Sequence, residues 1–334
     1  MKVTIVEVAK AANVSVATVS RVINGNYPVK EETKQKVLKI IQELEYTPNI
    51  QARDLIKQQS STVGVVVPSI NNMFFPSVVD GIEKYFDSTQ YSLFLCTTNH
   101  DKDKEIARIN ELIARNVAGI IVIDPNLENC KSKFYDNISK STPVVFVNGY
   151  NTSSNISSVS NDETSGARMV IEYLFENSHR DILFIRGEKS YSYDVKEKVY
   201  RDVMSEINNL HEEYIINIGY GNSIETVNKT TEECVKILDS NKKISAVFAC
   251  NDLMGIGIIN ACKKLNKKIP EDLSVIGYDN IELSEIVEPH LTTVDQNMFL
   301  LGENAATLLI EKIENGNKYS KKIILNNELI IRNT

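Results

Sequence analysis

Apolar residues in the first 46 positions recur at helical spacing. Ile5, Val8, Ala9 and Ala12 form one set, Val19, Val22 and Ile23 a second, and Val37, Leu38, Ile41 and Leu44 a third. The spacing predicts three short amphipathic helices that pack their stripes together. Thr4 and Ser15 stand just before the first two, where a hydroxyl accepts from otherwise unpaired first-turn N–H groups. Asn13 lies between those helices, where a tight turn often requires positive φ, and asparagine tolerates it. The stretch YTPNIQARDLIKQQSST is polar and proline-marked, and reads as a connector.

From residue 62 the pattern changes. TVGVVVP, YSLFLC, AGIIVI, PVVFVN, DILFIRG, ISAVFAC and LSVIGYD read as strands, and between them run GIEKYFDSTQ, KEIARINELIARN, GARMVIEYLFENS and DLMGIGIINACKKLN. Unbroken apolar strands separated by helices predict parallel sheets covered on both faces, the α/β class. The region is longer than one core usually grows, so two sheets are expected. A ligand would then lie between lobes, near the C-terminal ends of the strands.

Charge adds an asymmetry. The chain of 334 residues carries a net −7, which argues against uniform attraction to nucleic acid or an anionic membrane. Residues 1–60 hold nine Lys/Arg against six Asp/Glu, so the remainder carries −10. That is the composition of a small anion-binding module joined to an acidic body. The five cysteines are odd in number and form no C-x-x-C, which fits reduced thiols and offers no zinc or redox cofactor site. MKVTIVEVAK has no signal-peptide core, and runs such as GIIVI are far short of a membrane span, so a soluble, cytoplasmic protein with no membrane partner is expected.

The second helix is the informative one. Val19, Val22 and Ile23 form its inner face, while Val16, Ala17, Thr18, Ser20, Arg21 and Asn24 occupy the other flanks. A solvated helix normally fills its outer side with long Glu and Lys chains; this one carries small groups, hydroxyls and a single arginine. Small residues let backbone approach a duplex, Val16 or Ala17 can touch a thymine methyl, and Arg21 can bond guanine O6 and N7. Thr4, Ser15, Thr18 and Ser20 suit phosphates. Taken alone, thirteen residues of this kind fit an ordinary capped bundle equally well.

TIVEVAKAANVSVATVSRVINGN followed by VKEETKQKVLKIIQELEYTPNIQARDL resembles the N-terminal headpiece of the lactose/galactose repressor (LacI/GalR) family. The resemblance implies an all-α helix-turn-helix headpiece over residues 1–47 that docks α-helix into major groove. Val16, Ala17 and Arg21 would read bases, while Thr4, Ser15, Thr18, Ser20 and Asn24 would position the backbone. Residues 48–60 would form a hinge helix and linker, with Asn49, Ala52 and Leu55 at the DNA and Leu55 as a minor-groove wedge. Double-stranded operator DNA and a homodimer on a pseudo-palindromic site are implied as partners. Asn13 stands where the family more often has glycine.

The segments VGVVVPSINNMFFPSVVDGIE, ACNDLMGIGIINACKKLNKKIPEDLSVIGYDN and LTTVDQ are similar to the family's two-lobed, doubly wound, periplasmic-binding-protein-like core. The implied division puts residues 61–160 and 291–320 in the first lobe, and 161–290 and 321–334 in the second. The implied effector residues are Ser69, Phe74, Asp162, Lys196, Asn251 and Asp279, around a sugar or sugar phosphate. Each also has a plain reading: Phe74 as core, Asp162 and Asn251 as helix caps, Asp279 in a turn. Lys196 stands where many sugar-responsive members have arginine, and lysine lacks the bidentate fork. Part of the family uses a serine-phosphorylated HPr carrier protein as corepressor; Leu300 and Thr307 replace the Asp and Arg of those members.

The implied function is a dimeric repressor of carbohydrate-metabolism genes, not an enzyme, with a sugar-binding protein or sugar enzyme on the same core as the alternative. Gly255, Gly257 and Asn260 nearly spell G-x-G-x-x-G, a weak signal without its third glycine. The four histidines are isolated, and no nucleophile elbow appears.

Overall fold

The computed structural model describes residues 3–25, 27–47, 60–151, 153, 155–241, 243–316 and 319–334. Two compact units result, residues 1–60 and 61–334.

In the first, α1 (Ile5–Ala12), α2 (Val16–Asn24) and α3 (Glu31–Glu43) bury Val8, Ala12, Val19 and Val37 completely. A capping box starts α1: Thr4 Oγ1 accepts from Glu7 N–H at 3.4 Å, and Glu7 Oε2 accepts from Thr4 N–H at 2.7 Å. Asn13 turns the chain at φ 53°, and Ser15 Oγ accepts from Thr18 N–H at 3.1 Å to start α2. Leu38, expected inside, is 41% exposed, because Val37 sets the phase of α3 and turns its neighbour outward.

The second unit begins with β1 (Thr62–Val67), α4 (Phe74–Phe86), β2 (Ser92–Thr97), α5 (Lys102–Ala114), β3 (Gly119–Ile123), α6 (Leu127–Lys131), α7 (Phe134–Ile138), β4 (Val144–Val147) and β5 (Ser157–Asn161). It continues with α8 (Glu163–Glu176), β6 (Ile182–Arg186), α9 (Tyr191–Glu206), β7 (Ile215–Asn217), α10 (Ile224–Ser240), β8 (Ala246–Ala249), α11 (Asp252–Leu265), β9 (Ser274–Ile276) and α12 (Leu283–Ile286). The last elements are β10 (Thr293–Asp295), α13 (Met298–Asn315), β11 (Lys322–Leu325) and β12 (Glu328–Ile330).

Two parallel sheets form, ordered β11-β5-β4-β3-β1-β2 and β7-β6-β8-β9, and an antiparallel β10–β12 pair joins the second through bridges Ile276–Thr292 and Asp279–Asp295. The expected division of the C-terminal residues is corrected here. Residues 322–325 pair with β5 in the first sheet, and residues 293–295 side with the second. The chain thus crosses between lobes after β5, after β10 and after β11. Leucine, isoleucine and valine side chains fill both sheet faces, each contributing about 1.5–3 kcal/mol when fully buried. Helices α4 and α13 approach at glycines, since a Cβ on Gly81 would lie 2.1 Å from Phe299 O and one on Gly302 2.1 Å from Val78 O.

Candidate functional site

Two surfaces carry polar chemistry that packing leaves available. The first is α2. Val19 and Val22 are buried, whereas Val16 is 41% exposed and Ala17 and Arg21 face solvent. Arg21 lies over the Tyr27 ring at 5.4 Å, a contact that leaves its guanidinium fork accessible. Thr18 Oγ1 and Ser15 Oγ are 2.9 Å apart at the helix start. Asn24 is half-buried and donates back to Ser20 O at 2.8 Å and Ser20 Oγ at 3.1 Å, so those two stiffen the last turn. Thr4 is exposed and committed to its cap. Asn49, Ala52 and Leu55 lie outside the described residues.

The second surface is a cleft between the lobes, a cavity of about 410 Å³ counting its solvent-filled mouth. The first lobe supplies Asn72, Phe74, Phe75, Asp124 and Asn148; the second supplies Glu163, Ser190, Tyr193, Lys196, Asn222, Asn251 and Asp279, with Gln296 at a crossover. These residues sit at strand C-terminal ends or helix starts, where side chains of a parallel sheet converge. Lys196 forms the floor. Its ammonium is 3.1 Å from Cys250 O, 3.5 Å from Glu163 Oε2 and 3.4 Å from the centre of the Tyr278 ring. Gln296 Nε2 donates to Asp279 Oδ1 at 2.6 Å. Among the described residues Gln296 Oε1 has no hydrogen-bond donor, and Glu163 is met by the Lys196 ammonium and the Tyr278 hydroxyl.

Contacts across the cleft rim hold the lobes together. Asn72 Nδ2 donates to Asn222 Oδ1 at 2.9 Å, Ser69 Oγ donates to Asn222 O at 3.3 Å, and Asn222 Nδ2 lies 2.8 Å from His100 Nε2. On the other side the Tyr150 hydroxyl donates to Asp194 and its ring meets Tyr191 edge-on at 5.0 Å. Burial, helped by the Lys189 charge, holds His100 down at about 4. Burial pushes Asp124 up to about 7, against a hydrogen bond from Ser190. Asp279 is also held well above the carboxylate range by burial, although Lys196 acts in the opposite direction.

The expected effector residues divide. Phe74, Lys196, Asn251 and Asp279 line the cleft. Ser69 is buried and bonds across the rim instead, and Asp162 is the cap of α8, accepting from Ser165 N–H at 2.9 Å. The capping reading wins at Asp162 because the first helical residue, Glu163, is the one turned inward. Asn251 does both: it caps α11 by accepting from Met254 N–H at 3.0 Å and donates to Gly221 O at 2.8 Å. Sequence reasoning missed Asp124, Asn148, Glu163, Asn222 and Gln296. The end of AGIIVI was the available signal for Asp124, since a polar residue directly after a buried parallel strand points to the ligand edge. Gly257 has a packing role, a Cβ there lying 2.8 Å from Val227 O of α10.

The comparisons agree with this architecture. Residues 4–49 match the model of bacterial regulatory proteins of the lacI family, and residues 171–334 match a periplasmic binding protein-like domain. Catabolite control protein A of Priestia megaterium is 34% identical over 92% of both chains. The HTH-type transcriptional repressor PurR of Vibrio campbellii is 34% identical over 99% of this chain and 98% of its own. The crystal structure of the lac repressor dimer bound to operator and the anti-inducer ONPF shares the fold, with a TM-score of 0.87, 24% identity, and coverage of 100% and 99% of the two chains. No helix among the described residues is long and apolar enough to cross a membrane. The chain belongs to the lacI family of bacterial regulatory proteins, and is a DNA-binding repressor regulated by an effector.

Proposed function

We propose that the protein is a cytoplasmic, homodimeric repressor of carbohydrate-metabolism genes that reads a pseudo-palindromic operator and answers to a small molecule bound between its lobes. Val16, Ala17 and Arg21 read base edges; Thr4, Ser15, Thr18, Ser20 and Asn24 fix the backbone; Asn49 contacts the DNA, and Ala52 and Leu55 engage the minor groove. The observation that carries this is the outer face of α2, where an exposed arginine and small side chains stand over a fully buried Val19. A paired reader supplies the specificity that one short helix lacks. The lac repressor, whose crystal structure is that of a dimer bound to operator, supports the same arrangement.

A sugar or sugar phosphate fits the cleft better than phosphorylated HPr fits α13. Leu300 there is 43% exposed, and the Thr307 hydroxyl is bonded to Glu303 O at 2.9 Å, so neither offers the cation that a phosphoserine needs. A gel shift at fixed salt with a palindromic duplex and a scrambled control tests the reading. Preference for the palindrome, weakened in Arg21→Ala, is expected; equal binding to both duplexes by the wild type refutes it.

A further inference from the structure

Within the effector reading just given, the cleft chemistry distinguishes free sugars from phosphorylated ones. We propose that the cleft selects an uncharged polyhydroxyl compound through hydrogen-bond acceptors and rejects its monophosphate, with Lys196 acting as a positioning residue for Glu163 and not as an anion receptor.

Lys196 is the cation in the lining, and an ammonium has three protons to give. Three acceptors surround it: Cys250 O, Glu163 Oε2 and the Tyr278 face, at 3.1, 3.5 and 3.4 Å. The residue is 1% exposed, so no direction is left from which a phosphate could share those protons. Helix starts are the other places where anions bind. Of the helix starts at the cleft, α8 and α11 are capped by Asp162 and Asn251, and at α9, where Ser190 makes no side-chain cap, the Asp124 carboxyl is hydrogen-bonded to Ser190.

What the cleft leaves unsatisfied has the opposite sign. Gln296 Oε1 is a buried acceptor without a donor, and the Glu163 carboxylate, met by the Lys196 ammonium at 3.5 Å and by the Tyr278 hydroxyl, keeps further lone pairs; a ligand that supplies O–H groups removes their desolvation cost. Asp124 and Asp279 stand in the same lining. Ionised, they accept from hydroxyls; protonated, they donate to them, and a polyol serves both states. A phosphate supplies acceptors where acceptors are already in excess, and adds negative charge beside three carboxyl groups.

The test uses the full chain and three matched pairs, D-glucose, D-ribose and D-fructose each with its own monophosphate, by calorimetry and thermal shift. At least one free sugar is expected to bind, and its monophosphate to bind about ten-fold more weakly or worse, the scale of a one-unit electrostatic penalty. Asp124→Asn, which removes one carboxylate without touching the Lys196–Glu163 pair, is expected to narrow that ratio; a merely structural loss would lower both affinities together. The inference is overturned if any monophosphate binds as tightly as its parent, if none of the six binds, or if Lys196→Met selectively abolishes monophosphate binding. Operator binding without ligand is measured alongside, so a failure of the repressor reading shows as lost operator preference and is separable from a failure at the cleft.

Discussion

Replacing Lys196 with methionine keeps most of the apolar stem and removes only the ammonium. Glu163, whose side chain is 3% exposed, would then face the cleft floor without its cation, left with the neutral Tyr278 hydroxyl. Breaking a buried pair from one side costs about 3–5 kcal/mol. At the stability slopes of large domains, that lowers the melting temperature of the core by about 6–20 °C. Glu163→Gln combined with Lys196→Met removes both charges and should recover much of the loss. Differential scanning calorimetry of the wild type and both variants reads this directly. A single variant that loses less than about 1 kcal/mol, or a double variant no more stable than the single, would refute the idea that this ion pair holds the floor in place.

Three further outcomes follow from the geometry. Arg21→Ala should cost about 1–3 kcal/mol of operator discrimination while leaving binding to scrambled duplex almost unchanged, as read by gel shift at fixed salt. Ser15→Ala removes the oxygen that accepts from Thr18 N–H and should destabilise the headpiece by about 1 kcal/mol, visible in urea unfolding followed by helical circular dichroism. The two cleft groups have opposite pH signatures. Asp124, pushed up to about 7, holds its proton in the folded state where the unfolded chain has lost it, so its contribution to stability falls as pH rises from about 4 through 7. His100, held at about 4, stays neutral where the unfolded chain is protonated, so its contribution is lost as pH falls from 6.5 to 4. Melting curves of Asp124→Asn and His100→Gln against pH should therefore diverge from the wild type in opposite directions.

The elements legible in the sequence were those whose signal is local. Thr4, Asn13 and Ser15 act within three or four residues of themselves, and the caps and turn form where the pattern put them. Strands such as GIIVI and VVFV are buried on both faces and therefore read as unbroken apolar runs. Strand β5 was not legible, although it lies between β4 and β11, because SSVSN carries polar groups that tertiary partners satisfy: Asn161 Nδ2 donates to Gln296 O at 2.7 Å across 135 residues. The same non-locality hid Glu163, Asn222 and Gln296 from the site, and misplaced the C-terminal strands by one crossover. Lys196 was visible as a residue type, but its role depends on Cys250, Glu163 and Tyr278, which no spacing connects to it.

That dependence bears on how a ligand could act. Asp124 and Asn148 belong to one lobe and Glu163, Asn251 and Asp279 to the other, so a molecule that bonds both sets reaches them together only while the lobes are closed on each other. The open arrangement offers it at most half its partners, and that difference is the free energy with which binding shifts the equilibrium. Asn222 connects Ser69, Asn72 and His100 on the same rim, so closure has contacts of its own before any ligand arrives. Asn222→Ala should therefore weaken effector binding without removing a cleft carboxylate, because more of the binding energy goes into closing the lobes. Calorimetry on that variant should show a weaker affinity with the free-sugar preference over monophosphate intact; an unchanged affinity would mean that the rim contacts do not hold the closed state.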